Sequence, residues 1–211
     1  MRDWVEWHEA YADPASGLSM RLRSVQRQLA AAIDQAPPGP VRLVSLCAGQ
    51  GHDVLGVLPG HPRRDEVTAV LVEADPRNAQ LASGRAAAAG LAQVQVRQAD
   101  ASRPVSFADL LPVSVLLLCG IFGNVSDADI ERTVAAAPAL CAPGATVIWT
   151  RHRRPPDLTR AIRAWFTAAG FAEVAFDALD TDRLTAVGVS RLHHAAPAGL
   201  PTGPLFNFRH T

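Results

Sequence analysis

The sequence predicts an α/β fold: a seven-stranded, mostly parallel sheet with helices on both faces, a final antiparallel strand pair and a helical extension at the N-terminus. Three observations predict it. From Val41 onward, apolar runs of strand length alternate with stretches of helical period. The runs are almost continuous in Val, Leu and Ile, as strands covered on both faces require. The last two runs are joined by a segment too short for a helix, so they pair antiparallel.

The elements follow in chain order. Trp4, Trp7, His8 and Tyr11 share a helical face, and beyond Asp13-Pro14-Ala15-Ser16-Gly17 a second helix repeats Leu18, Leu22, Val25, Leu29 and Ile33. Ala36-Pro37-Pro38-Gly39-Pro40 stops it, because proline lacks the amide N–H and restricts the residue before it. Strands are expected from Val41 to Cys47, Val67 to Val72, Val94 to Val96, Val113 to Cys119 and Thr146 to Trp149. Helices are expected from Pro76 to Ala89, Asp127 to Leu140 and Asp157 to Ala169. Phe171 to Phe176 and Leu184 to Val189 form the antiparallel pair around a turn-rich Asp177 to Asp182. From His193 the chain reads as an irregular arm whose Leu205, Phe206 and Phe208 pack back on the body. The whole is one domain: residues 1–36 a helical lid or cover, 41–192 the core, 193–211 the arm.

Composition narrows the chemistry. All 20 basic residues are Arg and they balance 20 acidic ones, so no strong field collects nucleic acid or an anionic membrane, and a small or neutral partner is expected. The absence of Lys removes Walker-type phosphate loops, the ATP-pairing Lys of kinases and Schiff-base catalysis. Cys47, Cys119 and Cys141 are odd in number and set in apolar runs, which suits reduced thiols and a cytoplasmic setting. The first residues carry no apolar stretch long enough for a signal peptide or membrane span. His61, His193, His194 and His210 lack ligand spacing, so no metal is expected.

Three segments carry the functional signal. After the first strand, Cys47-Ala48-Gly49-Gln50-Gly51 lets the backbone turn tightly and approach a ligand. The second strand ends at Glu73-Ala74, where a carboxylate can accept the protons of two ribose hydroxyls, although an ordinary surface carboxylate would read the same. The third runs into Asp100-Ala101, placing another carboxylate at that edge, where a loop or cap role is the alternative.

Together these segments resemble the class I S-adenosylmethionine-dependent methyltransferase superfamily, with its Rossmann-like fold, from Val41 to about Leu192. The resemblance implies that Val44 to Gly51 lies under the methionine part of the cofactor, that Glu73 holds the ribose, that Asp100 and Ala101 meet the adenine, and that the segment from Leu117 to Gly123, with Cys119 and Gly120, lies beside the transferred methyl. Two positions depart from the pattern: Ser45 stands where an acidic residue is common, and Cys47 replaces the usual first glycine. The frames for a dinucleotide-binding G-x-G-x-x-G fail at Val54, or at Cys47 and His52, so a nicotinamide oxidoreductase is the lesser alternative. A cofactor-binding module without methyl transfer is the other. No Asn/Asp-Pro-Pro-Tyr/Phe sequence follows the fourth strand, which argues against the amino-methylating nucleic-acid enzymes that carry it. A small-molecule methyl acceptor is therefore expected, its identity, acceptor atom and the oligomeric state left open. Methyl transfer needs positioning and, for an oxygen acceptor, a proton acceptor. His152, His8 and Tyr11 are the candidates, each equally readable as a structural or solvated residue.

Overall fold

The computed structural model describes residues 9–180, 184–193 and 199–208. Trp4, Trp7 and His8 lie outside them, and the described chain opens on a single 3-10 turn, Glu9–Ala12, that carries Tyr11. Helix α1 (Gly17–Asp34) starts where the Ser16 hydroxyl accepts the Ser19 N–H, a side-chain cap for one of the orphan amides of the first turn. Its apolar face buries Leu18, Val25, Leu29 and Ile33, the periodic set read from the sequence, while Leu22 is only half-buried. At the other end the Arg63 guanidinium donates to the carbonyls of Ile33, Ala36 and Pro37 at 2.6, 2.8 and 2.9 Å, filling acceptors that the proline-rich linker leaves open.

Strands β1 (Val41–Leu46), β2 (Val67–Glu73), β3 (Val94–Gln98), β4 (Val113–Leu118), β5 (Cys141–His152), β6 (Phe171–Leu179) and β7 (Thr185–Leu192) form one sheet in the order β3-β2-β1-β4-β5-β7-β6. All neighbours are parallel except β7, which runs antiparallel to both β5 and β6. The fold class expected from the sequence is therefore the one observed. Alternation splits the core in two. On one face, Val44, Leu46, Leu116, Leu118, Val147 and Trp149 pack with α4 (Asp127–Leu140) and α5 (Thr159–Ala168). On the other, Leu43, Leu71, Leu117 and Ile148 pack with α1, α2 (Val54–Val57) and α3 (Pro76–Ala88).

Four differences from the sequence reading have local causes. Between the first two strands, where no helix was expected, a single turn, α2, forms and goes no further because Gly56 and then Pro59-Gly60 follow at once. Strand β5 begins at Cys141, and the residues before Thr146 are accommodated by a register shift opposite Val113 and Val115. β6 continues to Leu179, since Asp177 and Leu179 pair with Val187 and Thr185. In the arm, Leu205 and Phe206 are buried, whereas Phe208 stays exposed with its ring edge against Phe206. Among the described residues no helix is long and apolar enough to cross a membrane.

The strand order reverses between β1 and β4, whose connections leave toward opposite sides. Such a switch point opens a crevice at the carboxyl ends of the strands.

Candidate active site

The β1 exit is shaped by backbone conformation. Cys47, Gly49 and Gly51 have φ of 54°, 56° and 71°, so the chain alternates through the left-handed region that glycine tolerates best. Cys47 keeps this conformation despite its Cβ, which costs on the order of 1–3 kcal/mol wherever surrounding packing enforces it. The absent side chain at Gly51 has an internal reason: a Cβ there would lie 2.7 Å from Leu55 Cδ1 and 3.0 Å from Leu71 Cδ2. Gly51 lets α2 pack on the sheet, and the turn is closed by Gly51 N–H donating to the Ala48 carbonyl at 2.9 Å. Gln50 is buried with its amide donating to Asn78 at 3.2 Å.

Glu73 does more than end β2. One carboxylate oxygen accepts the Gly49 N–H at 2.7 Å, and the other accepts the Asp75 N–H at 2.8 Å. The side chain thus ties the glycine turn to the β2 exit. Burial raises the Glu73 carboxyl above its usual range, against the pull of the donated N–H groups. Ala74 beside it is exposed. Asp100 is exposed at the β3 exit and accepts the Ser102 N–H at 2.9 Å, while Ala101 is buried beneath it. Cys47 feels both acids: burial, then Glu73, then Asp100 push its thiol far from ionisation. Cys47, Glu73 and Asp100 therefore share one side of the crevice.

The β4 and β5 exits form the other side. The Gly120 N–H donates to the Thr150 hydroxyl at 2.9 Å, and the Asn124 amide donates to the Gly120 carbonyl at 2.7 Å, which fixes the loop after Cys119. Burial, reinforced by Asp53, raises the Cys119 thiol. His152 ends β5 and faces this loop, its Cδ2 3.8 Å from where a side chain on Gly123 would start. Burial lowers its pKa, with Arg151 and Arg154 adding to the effect, so the ring is neutral at neutral pH. A backbone hydrogen bond at Arg154 and the charge of Asp157 oppose the shift only in part. The neighbouring arginines serve the fold: Arg151 donates to the Phe122 carbonyl and Arg153 to Asp180.

Tyr11 reaches the crevice from the N-terminal segment. Its ring lies 4.5 Å from that of His52, centroid to centroid, and its hydroxyl accepts from Arg21 of α1 at 3.0 Å. Burial raises its pKa, although Arg21 opposes the shift. Gln26 donates to the His52 carbonyl at 2.8 Å, a second link from α1 to the post-glycine loop. His52 and Asp53 were not singled out in the sequence. Asp53 is 9 % exposed; its Oδ1 accepts the Val54 N–H at 2.8 Å and its Oδ2 faces the Ser45 hydroxyl at 3.4 Å. The signal for it was its place two residues after Gly51, at the start of α2. No group of three or more metal-ligating side chains occurs among the described residues.

The geometry therefore brings together Cys47, Ala48, Gly49, Glu73 and Asp100 on one side, with Cys119, Gly120 and His152 on the other and Tyr11 above the glycine loop. The sequence profile of a family described as "Putative methyltransferase" (Methyltransf_20) matches residues 11–174, a span from Tyr11 into β6. The chain belongs to this methyltransferase family. No curated protein matches it. Among solved structures, the fold resembles an O-methyltransferase family protein from Burkholderia thailandensis, with a TM-score of 0.66 and 15% identity over 84% of this chain and 57% of that one. It also resembles magnesium protoporphyrin IX methyltransferase from Synechocystis PCC 6803 with bound S-adenosylmethionine, with a TM-score of 0.66 and 12% identity over 88% and 89%. A third is an RNA methyltransferase from Salinibacter ruber in complex with S-adenosyl-L-homocysteine, at 0.56 and 20% over 85% and 96%. At these identities the TM-scores show a shared fold alone. The chain spans little more than half the length of the Burkholderia protein. Family membership favours methyl transfer over the nicotinamide alternative.

Proposed function

We propose that this methyltransferase moves the methyl group of S-adenosylmethionine to a small-molecule acceptor held between the β4 and β5 exits and Tyr11. The observation that carries the reading is the coupling of Glu73 to Gly49 at the switch point, which ties a carboxylate and a left-handed glycine turn into one rigid edge. That edge suits a nucleoside with an amino acid tail: backbone in the turn for the tail, carboxylates at the β2 and β3 exits for the sugar and base. Its residues fit such a group, since the described acids there include Asp53, a buried carboxylate without a salt bridge.

S-adenosylmethionine supplies an electrophilic methyl on a sulfonium and needs no further activation. The protein's part is to hold the acceptor in line and exclude water. Tyr11, locked on His52 and Arg21, closes the crevice from above, so residues 9–16 serve as a lid over the cofactor loop. His152 is the proton acceptor for a hydroxyl: its ring is neutral, partly exposed and beside the β4 loop at Gly123. Neutral overall charge and the Arg residues engaged within the fold support a small acceptor over nucleic acid.

Transfer of labelled methyl from S-adenosylmethionine, screened over small phenols, carboxylic acids and amines, tests the proposal. Turnover of an oxygen acceptor that falls at least about 100-fold in His152→Gln supports it, the scale of general base catalysis. Turnover restricted to nucleic acid, or unchanged in that variant, refutes the acceptor class or the base.

A further inference from the structure

Asp53 is a charge that the fold does not need. As the residue capping α2 it accepts the Val54 N–H through Oδ1, a task that a neutral Ser, Thr or Asn performs equally well. Its other oxygen has a single weak partner, the Ser45 hydroxyl at 3.4 Å, itself 1 % exposed. No salt bridge to Asp53 occurs among the described residues, and Arg21, held by the Tyr11 hydroxyl, acts on it through its field. A carboxylate nine-tenths buried and without a salt bridge loses hydration that one weak hydroxyl contact and a distant charge do not fully restore. Burial accordingly raises its pKa, with the Val54 N–H, the Ser45 hydroxyl and Arg21 only partly opposing. Its Ser45 partner lies at the end of β1, and Tyr11 and Cys119 both feel its charge, so the carboxylate lies near the carboxyl ends of β1 and β4 and the N-terminal segment.

Resting on the cofactor reading above, we propose that Asp53, oriented by Ser45, is the binding residue for the α-ammonium of the cofactor's methionine part. The ammonium is a compact cation with three N–H donors, and Oδ2 has the lone pairs to take one of them. The sulfonium is the competing cation, but it carries no N–H to replace the hydrogen bonds that burial removes. The placement agrees: Asp53 follows Gly51 by two residues, beside the turn assigned to the methionine part. Ser45, at the end of β1, positions the carboxylate without contributing charge.

The test is calorimetry on the full chain with three ligands: S-adenosylmethionine, S-adenosylhomocysteine and 5′-methylthioadenosine, which lacks the amino acid part. Asp53→Asn keeps both the cap and the Ser45 contact, and Asp53→Ser keeps the cap with a second neutral side chain should the first variant melt early. Either one should weaken the two amino-acid-bearing ligands about 10- to 100-fold, the usual scale for a charged hydrogen bond, and leave 5′-methylthioadenosine within about twofold. In the exchange variant Ser45→Asp with Asp53→Ser, recovery of most of that loss supports the assignment further. Equal weakening of all three ligands, no weakening of any, or weakening of S-adenosylmethionine alone overturns it, the last by pointing to the sulfonium. Wild-type protein that binds none of the three overturns the cofactor reading as well, whereas wild-type binding with an indifferent Asp53→Asn overturns only the role of Asp53.

Discussion

Replacing Glu73 by Gln should damage the fold nearly as much as replacing it by Ala, although Gln matches Glu in size. The reason is the pair of donors it faces. Gly49 N–H and Asp75 N–H point at its two oxygens from 2.7 and 2.8 Å, and only a carboxylate offers an acceptor to both. Gln satisfies one and turns its own NH2 toward the other. Gly49 is buried, so its abandoned N–H costs about 1–3 kcal/mol, and the half-buried Asp75 N–H adds somewhat less. Glu73→Ala should therefore lose about 2–4 kcal/mol and Glu73→Gln about 1.5–3 kcal/mol. In a domain of this size each kcal/mol shifts Tm by about 2–4 °C, so thermal melts should fall by about 4–16 °C in Glu73→Ala and about 3–12 °C in Glu73→Gln. Cofactor affinity should fall with them, because the glycine turn loses its tether. A Glu73→Gln protein melting within about 2 °C of wild type would refute the argument that Glu73 holds the turn, and would leave ribose binding as its sole task.

Three further outcomes follow from other contacts. Gly51→Val should lower stability by about 2–5 kcal/mol, since it adds a β-branched side chain at positive φ where Leu55 and Leu71 already fill the space; a melt near wild type would show that α2 can move aside. Asp177→Ala should cost about 1–3 kcal/mol by releasing Ser24 and Gln28 of α1, which donate to the carboxylate at 2.5 and 3.2 Å, with the exposed Arg27 adding little. Burial pulls the Asp177 carboxyl up, but these donors prevail and hold it below its usual range, so this stabilisation is complete above the ordinary carboxylate pKa of about 3.9 and lost as pH falls through the lower folded value. Acid denaturation of wild type and Asp177→Asn, compared by circular dichroism, reads that difference. If His152 takes the acceptor proton, kcat/KM should have an acid limb below the ordinary histidine value of about 6.5, because burial and two arginines lower its pKa; a limb above that value assigns the base elsewhere.

The sequence by itself determined the order of the strands along the chain, both faces of the sheet and the edge at which the candidate site lies. Strands such as Val113 to Leu118 are apolar throughout, and helices α1, α3 and α4 carry their own stop and start signals, so local pattern and burial agree there. Glu73 and the glycine turn were legible because both follow strand ends, positions that a parallel sheet sends to a common edge. Tertiary structure alone decided what these residues touch. The left-handed backbone of Cys47 contradicts its residue type and is imposed by the turn around it. The Asp177 clamp joins residues about 150 positions apart, and the contacts of Tyr11 with His52 and of Asp53 with Ser45 depend on how α1 and α2 settle on the sheet. Periodicity records which face of an element is buried, but a single polar partner across the fold leaves no period to read, and such partners are fixed only when the chain has closed.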